Sequence, residues 1–97
     1  LITTEELMFI KAEAQYWAGN VAEAYNTTVA ATKLNMERYG IVEHQLKDEF
    51  PNKYNGYAKD QYVRFFNIKL PGASKFTIAD LMQQKYVAMY LLPEWKP

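Results

Sequence analysis

Apolar residues spaced three and four apart dominate the first part of the chain. Leu7, Ile10, Ala14 and Trp17 form one stripe, with Glu5, Lys11, Glu13 and Gln15 falling largely to its sides; that period predicts an amphipathic helix with Trp17 in the core. Thr3 followed by Glu6 has the spacing of a capping box and places the helix start. Gly19 supplies the stop, because glycine takes the left-handed conformation that closes a helix. Asn20 with Glu23 repeats the cap spacing almost at once, so a second helix must turn back antiparallel on the first and run to Gly40. Ala12, Ala14 and Ala18 on one helix, and Ala22, Ala24, Ala30 and Ala31 on the other, allow close approach of the two axes. The hairpin has the size of a tetratricopeptide unit, about 34 residues. Thr28 stands where that repeat usually carries an aromatic, and no proline follows Leu34. One such unit cannot bury its own faces and expects neighbours.

After Gly40 the pattern changes twice. Ile41 to Phe50 fits a short helix through Val42, Leu46 and Phe50, stopped by Pro51. From Asn52 to Lys69 aromatic, amide and glycine residues mix, and the stretch reads as an irregular loop with room for an extended piece around Tyr62 to Ile68. Pro71-Gly72 marks a turn. Thr77 with Asp80 then caps a last helix reaching about Leu92, with Pro93 as its boundary and Ile78, Leu81, Met82, Met89 and Leu92 as its apolar stripe. Lys85 falls on the same side, where its stem can lie along apolar surface. The expected fold is all-α: a helical hairpin over 3–40, a short helix and aromatic loop over 41–76, and a C-terminal helix over 77–95.

Composition narrows the function more than the fold. The 97 residues are 49% hydrophobic and 15% aromatic, enough for a folded single domain. Eleven basic residues balance eleven acidic ones, which gives no electrostatic reason to expect nucleic acid. Without cysteine there is no disulfide framework, thiolate nucleophile or cysteine-type zinc site. His44 beside Glu43 lacks a second ligand at helical spacing and reads as a surface residue. Glycoside hydrolysis needs two carboxylates facing each other across a bond, and adjacent pairs such as Glu5-Glu6 and Asp48-Glu49 point apart on a helix. No metal, cofactor or catalytic centre is expected.

The aromatic loop holds the candidate binding residues. Sugar rings stack their C–H faces on aromatic planes while amides bind hydroxyls, which singles out Tyr54, Asn55, Tyr57 and Tyr62, with Phe65, Phe66 and Asn67 nearby. Packing of these rings in a core is the competing reading. Glu13 and Lys85 are candidates for a structural ion pair between the first and last helices.

Four strings then carry a resemblance. Phe9 to Ala14, Gly19-Asn20 with Ala24-Tyr25-Asn26, Gln84 to Ala88, and Glu94-Trp95 occur in the order and at the separation seen in the C-terminal half of SusD/RagB-type glycan-capture lipoproteins, and the chain resembles that family over most of its length. Family members usually place a residue between the glutamate and the tryptophan and continue into an arginine pair; here the two are adjacent. The resemblance implies a tetratricopeptide-like portion of a larger SusD-like domain, the chain being a piece of a longer protein. That protein would be lipid-anchored at the outer membrane of Bacteroidetes-type bacteria, through a part outside this chain. It also implies capture of an oligosaccharide, without catalysis, for a TonB-dependent SusC-like transporter. In such proteins the repeat helices are mainly scaffold and partner surface. The alternative is a tetratricopeptide-like module that binds another protein, and a hydrolase fragment is a third class.

Overall fold

The computed structural model describes residues 2–42, 46 and 53–90, with the side chains of 53–59 and of 90 outside the description. Among the described residues the fold is all-α: α1 (Thr4–Trp17), α2 (Val21–Arg38), α3 (Lys53–Lys69), a single 3-10 turn (Ala73–Lys75) and α4 (Ile78–Tyr90).

The ends of the hairpin follow from local hydrogen bonding. The Thr3 hydroxyl accepts from the Glu6 amide at 3.2 Å and opens α1. At its other end the Gly19 amide donates to Tyr16 and the Asn20 amide to Gln15, while Gly19 takes φ +90°. This is a Schellman closure, and it recurs at the end of α2, where Gly40 (φ +81°) donates to Glu37 and Ile41 to Met36. Asn20 occupies the N-cap position of α2, but its side chain makes no capping bond; the Schellman bonds set the turn instead.

Two polar contacts fix α1 against α2. Near one end Arg38 donates to both carboxylate oxygens of Glu5, its Nη2 at 2.8 Å. Toward the other, Thr27 donates to Gln15 at 2.7 Å. Positions rising along α1 thus meet positions falling along α2, the antiparallel register of a hairpin. Ala12 and Ala31 between these ties, and Ala24 on the turn side of Thr27, are fully buried, so small side chains do bring the axes together. Of the alanines expected there, Ala14, Ala18, Ala22 and Ala30 are exposed instead.

The face that α1 buries differs from the expected one. Glu5, Phe9 and Ala12 are buried, whereas Leu7, Ile10 and Trp17 are 56%, 50% and 68% exposed. At roughly 100° per residue the two stripes lie about 150° apart. The reason is the ion pair: once Glu5 is bound to Arg38, its side faces α2, and Phe9 and Ala12 follow it inward. Trp17 is therefore a surface residue, its ring edge meeting Tyr16 with centroids 5.3 Å apart.

The stretch read as an irregular loop is the helix α3, seventeen residues long. Tyr62, Phe66 and Leu70 are four apart and turn toward α2, with Tyr62 and Leu70 buried; the helical period was present under a composition that suggested a loop. The helix expected over Ile41 to Phe50 meets non-helical backbone at Ile41, Val42 and Leu46, and its other positions lie outside the described residues.

The cap of α4 forms as its spacing predicted. The Thr77 amide donates to the Asp80 carboxylate at 2.9 Å, and the Asp80 amide donates to the Thr77 hydroxyl at 3.3 Å. Ile78 and Leu81 face the core, but Met82 and Met89 are 42% and 43% exposed, their places taken by Gln84 and Val87. Leu92 lies outside the described residues. Lys85 reaches Glu13 at 3.1 Å, the expected link between the first and last helices. A core of Ala12, Ala24, Leu70, Phe76 and Leu81 joins these elements.

Candidate functional site

A cleft of about 280 Å³ lies between α2 and α3. Its α2 wall is made by Tyr25, Val29 and Lys33, which fall on one face because they are four residues apart. Tyr62, Val63, Phe66 and Asn67 of α3 make the other wall, and Leu70-Pro71 closes one end.

The walls are held by specific contacts. Tyr25 donates its hydroxyl to the Leu70 carbonyl at 2.6 Å, which pins the residue just after α3 to the first turns of α2. The Tyr25 ring also meets Phe76 edge-on, centroids 5.5 Å apart. Across the cleft the Lys33 ammonium lies 5.4 Å from the Phe66 ring centre, within the range of a cation–π contact. Phe66 in turn packs against Tyr62 and Phe65, with centroids at 5.1 and 5.2 Å. The result is an aromatic wall with an ammonium above it and the exposed Asn67 amide at the rim.

Of the residues singled out from sequence, Tyr62 is at the cleft, but it is 8% exposed and serves mostly as packing behind Phe66. Tyr54, Asn55 and Tyr57 lie in the first turns of α3, and their side chains are outside the described residues. Trp95, His44 and the Asp48-Glu49 pair are outside them altogether. Tyr25 and Lys33 were not foreseen as site residues. With Val29 they recur every four residues on α2, but only the folding of α3 as a helix gives them a facing wall.

Chemically, the described lining of the cleft offers aromatic rings, an amide and an ammonium. Its lining includes neither a carboxylate nor an imidazole among the described residues. Two of the α1 carboxylates are occupied elsewhere: Glu13 binds Lys85, and Glu5 is held below the ordinary carboxylate range by its hydrogen bonds from Arg38, against the opposing effect of burial. Among the described residues no cluster of histidine, cysteine, aspartate or glutamate could hold a metal ion. No described helix is long and apolar enough to cross a membrane.

Buried away from the cleft, Gln84 is 2% exposed, and neither its amide nitrogen nor its oxygen finds a hydrogen-bond partner among the described residues. No protein-family model, curated protein or solved structure matches the chain.

Proposed function

We propose that the chain is the helical scaffold portion of a non-catalytic glycan-binding protein, part of an outer-membrane oligosaccharide uptake system that works with a TonB-dependent SusC-like transporter. The observation that carries this reading is the α2–α3 cleft, where the Phe66 ring, the Lys33 ammonium and the Asn67 amide converge. A sugar ring stacks its C–H face on the aromatic wall, and the amide and ammonium take its hydroxyls. The SusD-like order of motifs supplies the biological setting, and the outer-membrane lipid anchor belongs to a part outside this chain.

Calorimetry of the protein against an oligosaccharide panel tests the reading, with Phe66→Ala and Asn67→Ala as variants. Binding is expected to fall about tenfold or more in Phe66→Ala and less in Asn67→Ala, because a stacked ring contributes more than one exposed hydrogen bond. Circular dichroism confirms that each variant is folded. If no glycan binds, a tetratricopeptide-like protein-interaction module becomes the better reading. One observation favours that alternative: the uncovered apolar face of α1.

A further inference from the structure

The outer face of α1 is more ordered than a scatter of exposed apolar residues. Leu7, Ile10, Ala14 and Trp17 follow steps of three, four and three, which are the a and d positions of two heptads. All four are exposed, and they lie opposite the face that α1 presents to α2 and α4. A helix approaching this seam would not meet either neighbour.

The charges beside the seam identify the occupant. With Leu7 at a, Glu6 is at g and Lys11 is at the following e position. In a parallel pair of helices each g residue meets the e residue five positions further along its partner. Two copies of α1 side by side therefore set Glu6 of each against Lys11 of the other, giving two symmetric ion pairs. Among the described residues neither Glu6 nor Lys11 has an ion-pair partner within its own chain. The next g residue, Glu13, is already bound to Lys85, and the e position it would face is the small Ala18. An antiparallel pair would instead bring like residues together at the flanks, Lys11 on Lys11 and Glu13 on Glu13, which is repulsive.

We infer that α1 is a self-association surface, pairing in parallel with α1 of a second copy of this chain through Leu7, Ile10, Ala14 and Trp17. Heptad spacing, outward exposure and the complementary Glu6 and Lys11 flanks all select the same parallel register. The inference is independent of what the α2–α3 cleft binds.

Sedimentation equilibrium over a rising concentration series at low salt tests it. The native chain is expected to show a monomer–dimer equilibrium. Lys11→Glu, on the exposed face of α1, turns both ion pairs repulsive and should weaken the dimer about tenfold or more, while Glu6→Lys combined with Lys11→Glu should restore it. Because the chain has no cysteine, Leu7→Cys adds an independent readout: a parallel seam places the two thiols together, and mild oxidation should link the copies. A native chain that stays monomeric across the series overturns the inference. So does association that Lys11→Glu leaves unchanged.

Discussion

At the scale of single residues, buried polar groups decide the register. Glu5 is 2% exposed and survives inside only because Arg38 brings two donors to it. A stripe read from hydrophobicity alone chose the opposite side of α1, since a glutamate is normally assigned to solvent; the partner that draws it inward is far along the chain, on α2. The consequence is an asymmetric response to mutation. Arg38→Met leaves a buried carboxylate with no counter-charge, whereas Glu5→Met removes that carboxylate and leaves a half-exposed guanidinium to water. Arg38→Met is expected to be the more destabilising, by chemical denaturation at neutral pH. The pH dependence has a definite sign. The folded pKa of Glu5 lies below its ordinary value of about 4.5, so the pair stabilises the fold above that pH, and this contribution fades as pH falls from there through the lowered value. Denaturation midpoints measured between neutral pH and pH 3 should drop for the native chain in that acid window, and Glu5→Met should flatten the drop. Gln84 presents the opposite case, a buried amide without a partner among the described residues. Gln84→Met keeps the length and removes the polar atoms, and should raise stability by about 1 kcal/mol or more in urea unfolding.

At the scale of elements, what could be read from sequence depended on whether its cause was local. The caps at Thr3 and at Thr77 with Asp80 formed at their spacing, and both Schellman glycines closed their helices, because each involves residues a few positions apart. The helix α3 was hidden for a different reason. Glycine, asparagine and repeated aromatics are poor helix formers, and their abundance from Asn52 to Lys69 suggested a loop. Packing overrides propensity here: Tyr62, Phe66 and Leu70 gain burial or aromatic contact against α2 only when helical. The same misreading concealed the cleft, because Tyr25 and Lys33 become walls only when α3 presents a facing row. For α4, the reciprocal cap is its main local determinant. Replacing Thr77 by alanine removes the hydroxyl that receives the Asp80 amide, and should cost about 1 kcal/mol of stability. Serine at this position should recover most of the loss. Urea unfolding of the two variants makes the comparison, with the native chain as reference.

At the scale of the whole molecule, a helical hairpin has two faces to cover, and the described residues cover one of them on α1. The inner face is buried against α2 and α4, while Leu7, Ile10 and Trp17 remain in water despite being among the largest apolar residues of the helix. Stability and association should then be coupled. If the copies pair through α1, the dimer stabilises the native state by mass action, and the unfolding midpoint must rise with protein concentration. Ile10→Glu places a charge in the middle of the seam without touching the inner face, so it should abolish that dependence while leaving the dilute-limit midpoint nearly unchanged. Thermal unfolding at a series of concentrations separates the two terms. A midpoint that does not move with concentration in the native chain would mean that the outer face of α1 contributes nothing to folding in isolation. A midpoint that moves equally in Ile10→Glu would place the association on another surface. The contrast is informative because solvent-facing substitutions on a monomeric helix usually change stability by no more than about 0.5 kcal/mol.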